Sequence, residues 1–261
     1  MPELPDVENF KKYFKKTSLH KKVENIESNQ KSLIRKITFN DFKKKIIGHK
    51  FEDAWRRGKF LIIEIGGISE KLIFHFGMTG YLSYFKQGKE SHFAKVVFNF
   101  NNGYKLEWIN KRKLGKIYLV EDIREISLLK NMGVEPLEIS EKEFLELLEN
   151  NKSRGIKSFF MDQTEIAGIG NIFSDEIFFR AKISPKSKIQ DLSNSKKKAL
   201  YDKMKKVLKE AIKIGPPEGS FDPSRWLIPH RQKDMKCPNG HDLKKETIAG
   251  RSSYYCPICQ K

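Results

Sequence analysis

Residues 165–181 read EIAGIGNIFSDEIFFRA, and the middle of that run decides what the chain around it has to be. Gly168 and Gly170 stand at alternate positions, which interrupts a helical pattern and lets successive backbone N–H groups turn to one side. From Asn171 onward the residues read as helix again. A helix N-terminus, with its unpaired donors and positive dipole end, therefore opens directly behind the glycines. Such a turn can hold a phosphate without reading anything attached to it. A single G-x-G is a weak signal, and its meaning depends on what flanks it.

The flanks are helical. Ser140 and Glu143 form a capping box ahead of FLELLEN, residues 144–150. Residues 195–215, SKKKALYDKMKKVLKEAIKIG, place Leu200, Met204, Val207, Leu208 and Ala211 on one helical face and lysines on the other. The lysine face reads as a solvated surface or as a binding surface. Gly215-Pro216-Pro217 ends that helix.

Before residue 120 the texture is different. After a first helix starting near Pro5-Asp6, with Val7, Phe10 and Phe14 at helical spacing, residues 23–120 read as short aromatic and β-branched strands. FLIIEIGG, KLIFHFGMTGYLSYF, AKVVFNFNNGYKLEWIN and KIYLV are the clearest. Phe98 and Phe100 alternate with Asn99 and Asn101 ahead of Asn102-Gly103, a hairpin signal. The expected class is α+β: residues 1–125 an N-terminal β-sandwich with a flanking helix, 126–139 a linker, 140–230 a helical domain and 231–261 a small hairpin.

That last segment holds every cysteine of the chain. CPNGHDLKKETIAGRSSYYCPIC, residues 237–259, spaces Cys237, His241, Cys256 and Cys259 as Cys-x3-His, then fourteen residues, then Cys-x2-Cys. Two close pairs can grip one tetrahedral Zn2+ while the residues between them make a β-hairpin. Four protein ligands leave no open position for a water, so one zinc ion here is structural. His241 also reads as a surface histidine beside a three-ligand site. Arg251, at the hairpin turn, is offered to a phosphate or a base.

The chain of 261 residues carries 51 Lys+Arg against 33 Asp+Glu, a net charge of +18. That excess favours a polyanion, nucleic acid first, although a generally lysine-rich composition contributes. No apolar run is long enough to span a membrane and the first residues are no signal peptide, so an intracellular protein with no membrane partner is expected. The N-terminus, MPELPDVE, adds chemistry. If Met1 is clipped, Pro2 carries a free secondary amine whose pKa lies near neutrality, roughly 7.7 to 8.0. Such an amine can attack an aldehyde-like carbon, with Glu3 beside it to move protons. Pro-Glu is equally an ordinary unstructured start.

Taken together, PELPDVE, RRGKFL, HFGMTG, DQTEIAGIGNIFSDEIFFRA and GRSSYYCPICQK, in this order, resemble the formamidopyrimidine-DNA glycosylase and endonuclease VIII family over essentially the whole chain, with PELP leaning to the first branch. The resemblance implies a helix-two-turn-helix domain, a zinc-finger hairpin and a monomer that acts on double-stranded DNA containing a damaged base or abasic site. It implies Pro2 as nucleophile at C1′, Glu3 as proton carrier, and Lys59 and Arg251 as assisting residues. It makes Met78, Arg112 and Leu114 fill the space of a flipped base, and His75, Lys157, Gly168, Gly170 and Asn171 phosphate-binding positions. Read without the family, RRGK is a basic hairpin tip and His75 a packed strand histidine. The implied activity is base release followed by β,δ-elimination. The rival readings are a non-catalytic damage-sensing protein on the same scaffold and an RNA-binding zinc-ribbon protein.

Three departures stand out. Asp6 replaces the family's glutamate, Leu114 replaces a phenylalanine, and EGSFDPSRWLIPHR, residues 218–231, lies where a longer loop caps flipped 8-oxoguanine. The expectation is activity on oxidised pyrimidines or hydantoins that equals or exceeds activity on 8-oxoguanine.

Overall fold

The computed structural model describes residues 1–86, 88, 91–215, 221–232 and 234–261. They form two compact units, one of Met1–Pro2 with Asp6–Lys130 and one of Glu3–Pro5 with Asn131–Lys261. The segment 126–139, read as a linker, is thus divided between them. Its second part is built into a unit, because Val134 N–H donates to Glu165 O at 3.0 Å and Val134 O accepts from Ala167 N–H at 2.9 Å.

The first unit contains strands β1 (Val23–Ser28), β2 (Ile34–Arg35), β3 (Phe51–Arg57), β4 (Phe60–Ile65), β5 (Lys71–His75), β6 (Gly80–Lys86), β7 (Ala94–Phe100), β8 (Tyr104–Asn110) and β9 (Lys116–Val120). They make a sheet ordered β1-β7-β8-β6 and a second ordered β2-β9-β5-β4-β3. Phe51 of the second sheet meets Phe98 of the first with ring centroids 5.9 Å apart, edge to face. Phe74 and Trp108 are 6.1 Å apart. These contacts, with Val96, Phe100, Leu106 and Ile117 also buried, are the sandwich core, and the α+β expectation holds. Helix α1 (Leu4–Ser18) adds Val7 and Phe14 to it.

One element differs from the sequence reading. Residues 39–46 are a helix, α2 (Phe39–Ile46), where only strands were expected. Thr38 caps it by accepting from Asp41 N–H at 3.2 Å, and it delivers Phe42 and Ile46 to the core. Asn99, which alternates with Phe98 and Phe100, is itself buried. Its Nδ2 donates to Glu27 Oε1 at 2.9 Å, so the outer face of the sheet covers itself by pairing polar groups.

The second unit contains α4 (Glu141–Asn150), α5 (Ile156–Met161), α6 (Asn171–Ala181), α7 (Asn194–Ile214) and the hairpin β10 (Lys244–Ile248) and β11 (Arg251–Tyr255), preceded in chain order by the one-turn α3 (Ser127–Lys130) of the first unit. The Ser140–Glu143 capping box is formed. Helix α6 is the central post. Its polar Ser174, Asp175 and Glu176 are buried along with Phe173, Ile177, Phe178 and Phe179, so it has no solvent face of the usual kind. Residues 221–231 pack on it: the Arg180 guanidinium lies 3.9 Å from the Trp226 ring centroid, and Ile228 N–H donates to Glu176 Oε2 at 3.0 Å. Helix α7 stops at Gly215, at φ +73. Pro216 and Pro217 of the expected stop, and residues 218–220 of the EGSFDPSRWLIPHR stretch, lie outside the described residues.

Candidate functional site

In the second unit the alternating glycines are occupied from within. Gly170 N–H donates to Glu3 Oε2 at 2.7 Å, Ile172 N–H to Glu3 Oε1 at 2.9 Å and Phe173 N–H to Glu3 Oε2 at 3.2 Å. The anion at the head of α6 is therefore the Glu3 carboxylate, buried at 1% exposure. This corrects the reading of Gly168 and Gly170 as an open phosphate cradle: the donors that face inward hold a residue of the chain itself. Gly168 is required on steric grounds. It sits at φ +81, and a Cβ there would lie 2.8 Å from Leu4 Cβ, just where Leu4 N–H reaches Gly168 O at 2.9 Å. Gln163 braces the turn, accepting from Gly168 N–H at 3.0 Å and donating to Ile169 O at 2.8 Å.

Lys157 also departs from expectation. Its ammonium donates to Asn171 O at 3.2 Å, Ser174 Oγ at 2.8 Å and Asp175 Oδ1 at 2.5 Å. A lysine has three N–H donors, and all are used inside the protein on a side chain with no exposure. A direct phosphate contact is not what this geometry offers. Burial pushes the Lys157 pKa down, while Asp175 and, more weakly, Glu3 pull it up. Asn171 donates its side-chain amide to Ser252 O of β11 at 2.8 Å. Arg251, two residues past Ala249 at the hairpin turn, is exposed.

Cys237, His241, Cys256 and Cys259 come together with all four donor atoms within 4.8 Å of one another. Cys237 Sγ lies 3.9 Å from His241 Nδ1 and 4.0 Å from Cys259 Sγ. The edge of a tetrahedron with metal–sulfur bonds of about 2.3 Å is about 3.8 Å. Three sulfurs and an imidazole nitrogen at that spacing can hold one metal ion. Phe179 and Leu227 cover the cluster on its buried side, and Gln260 ties its last turn to the end of α6 through Ile183 O at 2.9 Å.

The first unit presents a second group of the expected residues. Lys59 sits in the β3–β4 turn and His75 at the end of β5, its ring 4.9 Å from Phe60. Burial first, then the charges of Lys59 and Lys116, push the His75 pKa down to about 4. His75 is therefore a neutral donor or acceptor at cell pH. Met78 (38% exposed) and Leu114 (48%) project from adjoining turns, and Arg112 N–H reaches Thr79 Oγ1 at 3.3 Å. Asn110 clamps the two turns, donating to Phe76 O at 3.2 Å and accepting from Leu114 N–H at 3.2 Å. Gly77, at φ +64, allows the approach, because a Cβ would lie 2.5 Å from Gly115 N. The structure thus groups Met78, Arg112 and Leu114, and separately Lys59 and His75. Pro2 is half-buried and directly precedes Glu3.

Sequence reasoning missed Asp175, Arg231, Gln163 and Asn110. The signal for Asp175 was present: an Asp-Glu pair inside the otherwise apolar IFSDEIFFRA. Asn110 and Gln163 carry none, since their value lies in contacts distant along the chain.

The chain matches two family models, the formamidopyrimidine-DNA glycosylase N-terminal domain over residues 1–117 and its H2TH domain over residues 132–221. Among curated proteins, it is 33% identical to the formamidopyrimidine-DNA glycosylase of Pelotomaculum thermopropionicum, covering 100% of this chain and 99% of that one. It is 32% identical to the Lactococcus lactis protein of the same name, covering 100% of both. Among solved structures, the Lactococcus lactis protein with DNA containing FAPY-dG superposes with a TM-score of 0.87 at 30% identity, covering 99% of this chain and 100% of that one. Its complex with abasic-site DNA gives 0.87 at 29% identity, covering 99% of each.

Proposed function

Since the chain belongs to the formamidopyrimidine-DNA glycosylase family, we propose that it is a bifunctional enzyme that both excises the damaged base from double-stranded DNA and cleaves the strand at the resulting abasic site. Base-excision DNA glycosylase activity is the family's; the lyase step and its nucleophile are the proposal. Once Met1 is removed, the Pro2 nitrogen attacks C1′, the C1′–N bond to the base breaks and the base leaves with a proton; the C1′–O4′ bond then opens, O4′ takes up a proton, and the nitrogen lone pair forms the C1′=N bond. The resulting iminium acidifies the C2′ proton. Its removal expels the 3′ phosphate, and a second elimination expels the 5′ phosphate.

The observation that carries this reading is the anchoring of Glu3. Three backbone N–H groups fix its carboxylate, so the adjoining Pro2 is held by a rigid neighbour, as precise attack geometry requires. Lys59 and the neutral His75 supply donors near the backbone of the substrate strand. Met78, Arg112 and Leu114 fill the gap left by the flipped nucleotide. Zn2+ suits the Cys3His cluster, where it would stiffen the hairpin that presents Arg251 and take no part in the chemistry. Phe221, Trp226 and Ile228 are packed into the core of the second unit, which supports the expectation that oxidised pyrimidines or hydantoins are processed at least as well as 8-oxoguanine opposite cytosine.

The test is covalent trapping. Borohydride should reduce the C1′ iminium and fix the protein to a duplex carrying an abasic site, and Pro2→Gly should lower the trapped fraction at least about tenfold. Equal trapping by Pro2→Gly, or efficient trapping of a protein that retains Met1, overturns Pro2 as nucleophile.

A further inference from the structure

The feature of the second unit that the proposed chemistry does not use is a set of charges buried inside α6. Asp175 has no exposed side-chain surface, yet it accepts hydrogen bonds from three other residues. Its Oδ1 accepts from Lys157 at 2.5 Å. Its Oδ2 accepts from Arg231 Nη2 at 2.8 Å and Nε at 3.1 Å, and from the backbone N–H of Tyr254 at 3.0 Å. A carboxylate has about four acceptor positions, and the four bonds to Asp175 come from three different parts of the chain.

Those parts have distinct jobs. Through Lys157, whose ammonium also bonds Asn171 O and Ser174 Oγ, Asp175 reaches the first turn of α6, the turn whose N–H groups hold Glu3. Through Tyr254 it reaches β11, the strand that begins with Arg251. Through Arg231 it reaches the segment leading into the Cys237–His241 pair. Two acids, Glu3 and Asp175, and two bases, Lys157 and Arg231, form a charge-balanced group, so each ion is compensated out of water. The Cys3His cluster shapes the hairpin internally. It does not by itself decide where the hairpin rests on α6. That placement depends on Asn171–Ser252, Asp175–Tyr254 and Gln260–Ile183, with an exposed Lys186–Glu246 ion pair beside them, and Asp175 is the buried ionised member.

We propose that Asp175 is a positioning residue that locks the Arg251-bearing hairpin to the Glu3-holding turn of α6, so that the two present themselves to DNA as one rigid surface. The inference rests on the functional reading above only for its consequence at DNA. The docking itself is independent of it.

Asp175→Asn keeps the side-chain volume and removes the charge and one acceptor oxygen. In the full-length, metal-loaded protein, this variant should keep one metal per chain. The amides of residues 247–255 should exchange about tenfold faster, the cost of losing a charged acceptor for a buried N–H. Its Kd for an abasic-site duplex should rise about tenfold, and that increase should fall below twofold when Arg251→Ala is already present. A second pair of variants covers the case in which Asp175→Asn does not fold. The Tyr254 N–H is directed at Asp175, so Tyr254→Pro removes that bond without removing a hairpin bond, and Tyr254→Ala controls for the ring. The proline variant should exchange faster than the alanine variant. Unchanged exchange in Asp175→Asn, equal exchange in the two Tyr254 variants, or a full affinity loss that persists on top of Arg251→Ala each overturn the proposal. A wild-type protein that fails to bind or trap abasic DNA would instead overturn the functional reading and leave the exchange result standing.

Discussion

The two units hold their functional side chains in opposite ways. In the first, an aromatic core supports turns from which Met78, Arg112 and Leu114 project into solvent. The turns are set by backbone fit, with Gly77 and Gly115 allowing close approach and Asn110 closing the pair. In the second, the residues around the active turn are themselves the interior. Glu3, Lys157 and Asp175 are buried and satisfy one another and the backbone. A side chain in the first arrangement can be exchanged with little effect on folding. One in the second cannot, because removing a partner strands a buried charge.

The largest expected effect tests that contrast directly. Lys157→Met fills the same space but leaves Asp175 with one cation fewer and takes a donor from both Asn171 O and Ser174 Oγ in the first turn of α6. It should destabilise the second unit by roughly 3–5 kcal/mol. Arg112→Ala, on an exposed turn of the first unit, should change stability by no more than about 0.5 kcal/mol while still weakening binding to lesion DNA. Hydrogen exchange resolved by unit checks both. Equal losses for the two variants would erase the distinction.

That contrast also explains what could be read from the sequence. The sandwich was legible because strands with one face on a core alternate, and because Asn102-Gly103 marks a turn wherever it occurs. Helix α2 was hidden by its length: eight residues in a strand-rich stretch, betrayed only by Thr38 and Asp41. The cysteine spacing brought out the metal cluster because ligand geometry constrains sequence distance. The G-x-G turn was recognised as an anion site, but its anion was not. Glu3 lies some 167 positions before Gly170, and no local pattern connects them. Lys157 was mistaken for the same reason. A buried lysine and an exposed one look alike until their neighbours are known.

An intermediate effect concerns His75, a titratable group of the first unit that is shielded from water as the charges of the second unit are. Burial, then Lys59 and Lys116, hold its pKa at about 4, whereas an unfolded histidine titrates near roughly 6.5. Above that value neither state binds the proton, and stability is unaffected. As pH falls from about 6.5 toward 4, the unfolded chain takes up a proton that the folded one refuses, so folding loses stability through this window, on the order of 2–3 kcal/mol. His75→Phe, which can pack on Phe60, should flatten that part of the stability–pH curve measured by urea unfolding. An identical slope in the variant would mean that His75 is charged in the folded state and belongs with the exposed residues of its unit.

The smallest effect on stability is expected at Leu114, and it sharpens the comparison from the other side. At 48% exposure, the side chain has room to grow, and its position is set by Asn110 gripping the backbone N–H at 3.2 Å. Leu114→Phe should therefore leave the unfolding free energy within about 0.5 kcal/mol of its starting value. Its effect should appear only with DNA. An aromatic wedge stacks on a neighbouring base where an aliphatic one only packs, a difference of about 0.5–1.5 kcal/mol, or roughly twofold to tenfold in rate or affinity. Because stacking depends on which base lies beside the gap, the gain should differ among the four bases opposite the lesion. Single-turnover base release on four otherwise identical duplexes, with Leu114→Ala as the reverse control, would measure it. A uniform change across all four would show that residue 114 only excludes water. A change in stability larger than the change in discrimination would show that this turn is built like the interior of the second unit after all.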